Sequence, residues 1–396
     1  MSHPTPRRLV AGVLALATAS SLYLATSAAA APEVPPGRAE NGARLTGTVA
    51  MYPRAIRLEH DAGRAGTVVA SVVTFEAGHG IGAIFESTDA GRSWTRIGSV
   101  ADPGAREGLC CGSIFELPQQ VGELAPGTLL WSASVGQDAG PDRRMTLPLH
   151  ASEDGGRTWR KLATIATSPN FGGLWEPELS VSRDGRLVMQ VSDESQQPRH
   201  SQTLVQATSS DGVSWSALEN VVAADDPALR PGMPVTRRLP DGQYLMSFEV
   251  CGPGQECQHR FRRSRDGVRW GEVSSLGRPL LAEGRHQFRH APTISLYDDG
   301  TEDGRLLAVG QMLYDRDGQV AEGNGSTIMV NEGEPLLPWR LAEAPVRVSE
   351  PYNNYCPNYS SSLLPLPERD ELLELATAYD DAGVCTTYVA VGPLPD

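Results

Sequence analysis

The sequence of 396 residues contains a single lysine, Lys161, although arginine is plentiful. It carries 34 basic residues against 48 acidic ones, which gives a formal net charge of −14 at pH 7. This charge argues against the basic face that nucleic acids and anionic surfaces require, and it favours a neutral substrate over an acidic one. Long helical periodicity is also absent, and the frequent Gly and Pro residues favour an all-β fold.

Beyond the N-terminus, no segment of the sequence has the length of apolar residues that a bilayer span requires. The N-terminus itself has Arg7 and Arg8, a mostly apolar run from Leu9 to about Ala25, and small residues up to Ala31. This order predicts a signal peptide over 1–31, exported by the general or the twin-arginine route, with a retained anchor as the alternative. Its removal would take away two arginines and no acids, so the charge would change from −14 to −16.

The remaining sequence is interpreted as an arm and one large domain. Residues 32–45 are rich in Pro, Gly and Ala and predict a flexible arm, and 46–396 predict a single domain. We therefore expect a secreted protein with no membrane contact after removal of the leader. Its oligomeric state is expected to be monomeric, and the sequence suggests no cofactor and no metal site.

Four short stretches repeat one pattern of Ser, Asp, Gly and Trp. They are Ser87-Thr-Asp-Ala-Gly-Arg-Ser-Trp94, Ser152-Glu-Asp-Gly-Gly-Arg-Thr-Trp159, Ser209-Ser-Asp-Gly-Val-Ser-Trp215 and Ser264-Arg-Asp-Gly-Val-Arg-Trp270. The tryptophans are 65, 56 and 55 residues apart. Near-regular repetition indicates a repeat fold, and units of this length are typical of four-stranded propeller blades.

The four stretches resemble the Asp-box of sialidase-like β-propellers. In this interpretation Ser and Asp bond to the turn backbone, Gly takes a positive φ, and Trp folds back on the hairpin. A structural role away from the active site is therefore expected for these residues. At about 60 residues a blade, the chain predicts a six-bladed propeller. Trp339 indicates a fifth blade, and the strand-like segments near the C-terminus indicate a sixth. We expect strands from the N-terminus and the C-terminus to pair and so close the ring.

Six cysteines in an exported chain predict disulfides. Cys251 and Cys257 enclose a turn-rich pentapeptide and could pair to close a small loop, and Cys356 could pair with Cys385 across neighbouring strands. The adjacent Cys110 and Cys111 are either a vicinal disulfide or two free thiols. No Cys/His spacing is typical of zinc, and His286 and His290 lie on a non-helical segment with Arg289 between them.

Two glutamates lie in apolar, strand-like surroundings. Glu176 follows Trp175 and precedes Pro177, and Glu249 lies between Phe248 and Val250. Poor solvation raises the pKa of a carboxyl group, as a general acid requires. The alternative is that each glutamate faces solvent at a strand edge.

The stretch from Trp175 to Glu249 resembles glycoside hydrolase family 93, the exo-arabinanases on a six-bladed sialidase-like propeller. The matching elements are Leu174-Trp-Glu-Pro177, Ser192-Asp-Glu194, Gln202–Thr208, Arg230-Pro-Gly-Met-Pro234, Leu239-Pro-Asp-Gly-Gln-Tyr244 and Phe248-Glu249, with Tyr52-Pro-Arg-Ala55 and Gly127-Thr-Leu-Leu130 upstream. The resemblance implies a retaining, exo-acting hydrolase of α-1,5-L-arabinan or a related polysaccharide. Glu249 would be the nucleophile and Glu176 the acid/base, although the two roles could be exchanged.

The resemblance also implies that a tyrosine from the last blade enters the active site. Tyr359 is our choice, and Tyr352 and Tyr355 are the alternatives. Further residues are candidates for sugar binding, each with a structural alternative: Arg54, Trp175, Asp193 and Arg230. The rival enzyme class is an exo-α-sialidase, whose three arginines could be Arg54, Arg230 and Arg289. A carbohydrate-binding propeller without catalysis is the alternative outside the enzymes.

Overall fold

The structure is a computed structural model that describes residues 34–61, 63–301, 304–332 and 337–395. The expected leader over 1–31 lies outside these residues. Within them the chain is all-β, with 26 strands and three short 3-10 helices, Pro103–Glu107, Glu283–Arg285 and Pro367–Arg369. No helix in the described ranges has the length and apolar character to cross a membrane.

The strands form six antiparallel sheets that follow one another along the chain. The first strand is β1 (Ala43–Arg44). Blade 1 consists of β2 (Met51–Arg57), β3 (Val68–Glu76), β4 (His79–Ser87) and β5 (Thr95–Val100). Blade 2 consists of β6 (Leu109–Glu116), β7 (Leu129–Val135), β8 (Thr146–Ser152) and β9 (Arg160–Thr167). Blade 3 consists of β10 (Leu174–Val181), β11 (Leu187–Asp193), β12 (Thr203–Ser209) and β13 (Glu219–Val222).

Blades 4 and 5 share a more irregular stretch of chain. Blade 4 begins with β14 (Arg230–Arg238), β15 (Tyr244–Cys251), β16 (Gln258–Ser264) and β17 (Arg278–Pro279). The chain continues through β18 (Gln287–Arg289), β19 (Thr293–Tyr297), β20 (Arg305–Val309), β21 (Met312–Tyr314), β22 (Thr327–Asn331) and β23 (Arg340–Glu343). Of these, β19, β20, β22 and β23 form blade 5, whereas β18 and β21 extend the sheet of blade 4.

Blade 6 combines both ends of the described chain, as expected from the sequence. It consists of β24 (Ser362–Leu366), β25 (Glu371–Tyr379) and β26 (Cys385–Pro393), with β1 as its fourth strand. Ala43 pairs with Val389 and Arg44 with Tyr388. The first strands of successive blades contact each other around the whole circle, including blade 6 with blade 1. The fold is therefore a closed six-bladed β-propeller.

The segment before β1 is attached to blade 6 rather than loose. The N–H of Gly37 donates to the carbonyl of Ser349, Arg38 forms a bridge with Tyr379, and Ala39 forms one with Val348. These backbone bonds satisfy groups that would otherwise face solvent. The composition of 32–45 predicted a flexible arm because Pro and Gly disfavour regular strands, but the described part from residue 34 pairs with its neighbours.

The four repeated stretches form the turns that precede the outermost strands of blades 1 to 4. In the first, Ser87 Oγ donates to Asp89 Oδ1 and accepts the N–H of Gly91, both at 2.8 Å. Gly91 has a φ of 87°, and Trp94 Nε1 donates to its carbonyl at 2.9 Å. The same bonds recur at Trp159 and Trp215, as the sequence predicted. In the fourth turn the Ser264 bonds are present, but Trp270 Nε1 has no partner among the described residues. Their role in the structure is to hold these turns.

A second repeat lies at the start of the first strand of each blade. A non-glycine residue at or just before the start of that strand has a φ between 51° and 62°, and in blade 5 the preceding His290 has a φ of 61° as well. In chain order these six residues, which we call the bulge ring, are Tyr52, Cys111, Glu176, Met233, Ala291 and Ser360. In blades 1 to 4 the strand register shifts at this position, which is typical of a β-bulge. Because the first strands of successive blades contact one another around the whole circle, the six residues form a ring around the propeller axis, and all of them are buried or half-buried.

All six cysteines are paired. The disulfides join Cys110 to Cys111, Cys251 to Cys257 and Cys356 to Cys385. The two longer-range pairings predicted from the sequence are therefore confirmed, and the adjacent cysteines form the vicinal bridge. Trp339 is fully buried beside β23, as expected for a residue of blade 5.

Candidate active site

A cavity of about 250 Å³ lies beside the bulge ring where blades 3, 4 and 6 meet. Its lining residues are Trp175, Glu176, Glu194, Gln202, Arg230, Met233, Glu249, Cys251 and Tyr359. Glu176 and Glu249, far apart in the sequence and in different blades, thus share one cavity. A larger groove of about 610 Å³ near Trp94 contains Glu371, whose pKa is lowered by hydrogen bonding to Arg92, so this acid is not suited to hold a proton.

Glu176 is placed by its bulge and by one buried hydroxyl. It has a φ of 55°, and the register of β10 against β11 shifts between Trp175 and Glu178. Ser192 on β11 is fully buried, and its Oγ donates to Glu176 Oε2 at 2.7 Å. The same Oγ accepts the N–H of Met233 at 2.9 Å. Glu176 is therefore held by a neighbouring strand and, through Ser192, by the next blade.

Glu249 lies near the end of β15 and is only 9% exposed. Its Oε2 accepts the backbone N–H of Ala291 at 2.9 Å. Its other oxygen, Oε1, lies 3.4 Å from Sγ of Cys251, which is in a disulfide and has no proton to donate. One oxygen of Glu249 is thus stabilised by a fixed donor, and the other faces a sulfur atom.

Burial raises the pKa of both carboxyls, to about 7 for Glu176 and about 8 for Glu249. The negative charge of Glu176 raises the pKa of Glu249 further, which shows that the two groups interact. The hydrogen bond from Ser192 opposes the effect of burial at Glu176. Since two interacting carboxyls titrate as a pair, the cavity holds about one shared proton between pH 7 and 8.

Among the described residues that line the cavity there is one arginine, and it is already paired. Arg230 Nη2 donates to Glu194 Oε1 at 2.5 Å and to Gln202 Oε1 at 2.6 Å. The other oxygen of Glu194 accepts Trp175 Nε1 at 2.8 Å. Burial raises the pKa of Glu194, but the bonds from Trp175 and Arg230 outweigh it, so the pKa is lowered overall. Glu194 therefore stays ionised and fixes both Trp175 and Arg230 in the wall.

Tyr359 is the tyrosine of the last blade that reaches the cavity. Its hydroxyl lies 3.5 Å from Met233 Sδ, and its ring centroid is 6.5 Å from that of Tyr52. Burial, together with the charges of Glu176 and Glu249, raises its pKa well above the usual value. The rivals Tyr352 and Tyr355 are 41% and 62% exposed and do not line the cavity in the described part of the chain.

Two of the residues predicted to bind sugar, Arg54 and Asp193, lie behind the residues that line the cavity. Arg54 donates to the carbonyl and the hydroxyl of Ser360, both at 3.0 Å, and stacks over Tyr52 at 4.4 Å. Asp193 accepts the N–H of Ser195 at 2.7 Å and so holds a turn. Neither is among the described residues that line the cavity. Trp175 and Arg230, in contrast, are both in the lining.

Four lining residues were not proposed as site residues from the sequence: Glu194, Gln202, Met233 and Cys251. A usable signal was present, because four members of the bulge ring are followed by proline: Tyr52, Glu176, Met233 and Ala291. Together with the repeated turns, this Xaa-Pro pattern marks the start of the first strand in four blades. It would have placed Met233 and Ala291 in the same ring as Glu176, one and two blades further along the chain.

No protein-family model matches the sequence, and no curated protein matches it either. Solved structures do match the fold. The family 93 α-L-arabinofuranosidase of Fusarium graminearum, solved with arabinobiose, is 21% identical, with a TM-score of 0.73 over 90% of this chain and 98% of that chain. The α-L-arabinanase of Penicillium chrysogenum, also solved with arabinobiose, is 23% identical, with a TM-score of 0.73 over 91% of this chain and 97% of that chain.

The sialidase of Trypanosoma rangeli, in complex with the inhibitor DANA, is more distant. It is 11% identical with a TM-score of 0.53, and the match covers 87% of this chain and 55% of that chain. The expected fold is therefore confirmed: this protein is a six-bladed propeller similar in structure to family 93 arabinan-degrading glycoside hydrolases and, less closely, to sialidases.

Proposed function

We propose that this protein is a secreted, retaining glycoside hydrolase that acts from the chain end of α-1,5-L-arabinan or a related neutral plant polysaccharide. The observation that carries the proposal is that Glu176, which is half-buried, and Glu249, which is buried, share one cavity and both have raised pKa values. Two carboxyls, one protonated and one ionised, are what glycoside hydrolysis requires. The structural relatives solved with arabinobiose support the choice of sugar.

Taken alone, pKa values of about 7 for Glu176 and about 8 for Glu249 would place the shared proton on Glu249. The hydrogen-bond partners favour the opposite roles, and the assignment follows the partners because the two pKa values belong to the interacting pair. A backbone N–H can only donate, so the bond from Ala291 favours the ionised form of Glu249, which suits a nucleophile. A hydroxyl can donate or accept, so Ser192 can serve Glu176 in both protonation states, which suits an acid/base. In this mechanism Glu176 protonates the leaving oxygen while Glu249 attacks the anomeric carbon. Glu176 then removes a proton from the water that releases the sugar from Glu249.

The charge and size of the cavity support a short, neutral sugar. Within the described lining, Arg230 is the single arginine, and it is paired with Glu194. The alternative, a sialidase, needs free arginines for a carboxylate, but Arg54 bonds to Ser360 and Arg289 to Glu256. A volume of about 250 Å³ is small for a ligand pocket, so it suits one or two sugar units and an exo-acting enzyme.

The test is an assay of the purified protein on linear 1,5-arabinan and on a sialyl substrate, with the anomer of the first product followed by proton NMR. Release of short arabinose products with retained configuration is expected. Turnover of the sialyl substrate alone would favour the sialidase, and binding of arabinan without turnover would favour a non-catalytic propeller. An inverted product would exclude a covalent glycosyl intermediate on Glu249.

A further inference from the structure

Four side chains with metal-binding atoms meet at the edge of the cavity. They belong to Glu249, Cys251, Cys257 and His290, and one ligand atom from each lies within 4.8 Å of all the others. The two sulfurs are joined in a disulfide, so in the oxidised protein they are not available as thiolates. The proposed hydrolytic mechanism uses Glu249 and assigns no role to the other three.

The backbone holds these four residues in place. Glu249 and Cys251 are on β15, Cys257 precedes the adjacent strand β16, and His290 follows β18, which pairs with β16. The N–H of His290 donates to the carbonyl of Cys257 at 3.0 Å. The four side chains therefore project from three neighbouring strands of one sheet, and their proximity does not depend on the disulfide alone.

The imidazole of His290 is available as a ligand. Among the described residues its ring nitrogens make no hydrogen bond, and only its backbone atoms are paired. The adjacent Arg289 is paired with Glu256 Oε2 at 2.5 Å. A neutral imidazole, a carboxylate and two thiolates form a donor set that Zn²⁺ prefers in tetrahedral sites.

We propose that the disulfide between Cys251 and Cys257 conceals a zinc site that opens on reduction and includes Glu249. A dithiol reductant supplies two electrons and two protons, becomes a cyclic disulfide itself, and leaves two thiols. Binding of one Zn²⁺ releases both thiol protons to solvent and forms bonds to two sulfurs, one His290 nitrogen and one Glu249 oxygen. Reoxidation transfers two electrons to a small-molecule disulfide, which takes up two protons from solvent and becomes two thiols. The bond between Cys251 and Cys257 forms again, and the ion and Glu249 are released.

The consequence for the active site is a competition for Glu249. A carboxylate bound to Zn²⁺ cannot attack a sugar, so the reduced, metal-loaded protein is inactive and the oxidised protein is insensitive to the metal. This inhibition rests on the proposed function, whereas metal binding does not. The disulfide thus protects the glutamate from metal ions once the protein reaches an oxidising compartment.

The test uses the full protein, reduced with dithiothreitol and freed of reductant by anaerobic gel filtration, with circular dichroism to show that it remains folded. Titration with Co²⁺ should give thiolate-to-metal charge-transfer absorption that saturates at one equivalent and is displaced by Zn²⁺. The oxidised protein should give none. The reduced C251S/C257S variant keeps the other four thiols, so it controls for them and should lose the absorption. C110S/C111S is the matched variant that should keep it.

Two further variants identify the remaining ligands. His290→Ala should weaken Co²⁺ binding at least about 10-fold, since even outer-shell losses cost 10- to 100-fold. Glu249→Gln should do the same, whereas Glu374→Gln should not. The proposal is overturned if the reduced wild type shows no charge-transfer band, or if C251S/C257S or His290→Ala binds like wild type. Metal binding by a protein that hydrolyses no glycan would instead contradict only the proposed function.

Discussion

The hydroxyl of Ser192 donates a hydrogen bond of 2.7 Å to Oε2 of Glu176. Ser192 also accepts the N–H of Met233, and its single proton is directed toward Glu176 when that carboxyl is ionised. The bond joins the middle of one blade to a bulge at the start of the same blade, and it lowers the pKa that burial raises. Ser192 is therefore a positioning residue for the proposed acid/base.

Replacing this serine should change the pH profile of the proposed hydrolysis. In Ser192→Ala, loss of the donor should raise the pKa of Glu176, so the alkaline limb of kcat/KM should move to higher pH. The N–H of Met233 would lose its partner, at a cost of about 1–3 kcal/mol in the free energy of unfolding. Ser195→Ala, outside the cavity lining, is the control and should leave the profile unchanged. A shift of the limb to lower pH would contradict this role.

The wild-type profile is itself a test of the carboxyl pair. Below about pH 7 both groups become protonated and the nucleophile is lost, whereas above about pH 8 both are ionised and the acid is lost. A bell-shaped dependence of kcat/KM on linear 1,5-arabinan, with its maximum between these values, is expected. Measurement of initial rates from pH 5 to 10 checks it, and a flat profile across that range would be inconsistent with the pair.

Tyr359 separates the two-glutamate mechanism from that of a sialidase. If Tyr359 only supports the reaction at Glu249, Tyr359→Phe should lower kcat about 10- to 100-fold, which corresponds to one hydrogen bond to a charged group of roughly 1.5–3 kcal/mol. The exposed Tyr355→Phe should have no effect. Loss of all turnover in Tyr359→Phe, with the fold intact, would indicate that the tyrosine is the nucleophile.

The repeated turns are predicted to contribute stability and not activity. Ser209 Oγ accepts the buried N–H of Gly212 at 2.8 Å, whereas the adjacent Ser210 is exposed. Ser209→Ala should therefore reduce the free energy of unfolding by about 1–3 kcal/mol, and Ser210→Ala should change it little. Denaturant unfolding of both variants measures the difference. Equal stabilities, or a loss of activity in folded Ser209→Ala, would contradict the structural role.

The propeller architecture could be predicted from the sequence because the motifs that indicate it are formed by residues close together in the chain. The Ser-Asp-Gly-Trp turns depend on neighbours within a few residues, so their spacing predicted the blades and their number. Closure of the ring by β1 and β26 followed from the need to pair both ends. The attachment of residues 34–45 to blade 6 could not be predicted, because it depends on backbone partners more than 300 residues away.

The site was harder to predict because apolar flanks do not identify a catalytic acid. Glu374, in Leu372-Leu-Glu-Leu-Ala, has similar flanks, and burial raises its pKa to about 8, yet it bonds to Val346 and does not line the cavity. The resemblance to a known family, and not the solvation argument, distinguished Glu176 and Glu249 from Glu374. The family resemblance was not sufficient for every residue either. Arg54 lies in a matching motif, but it donates to Ser360 behind the residues that line the cavity.

Glu374 therefore supplies the control for the most direct test, which compares kcat/KM on linear 1,5-arabinan for the wild type and for Glu176→Gln, Glu249→Gln and Glu374→Gln. Position in the cavity, and not burial, should decide the outcome. The first two variants should fold normally and lose at least about 10³-fold in kcat/KM, whereas Glu374→Gln should remain close to wild type. Activity within about 10-fold of wild type in either cavity variant would contradict the two-glutamate account.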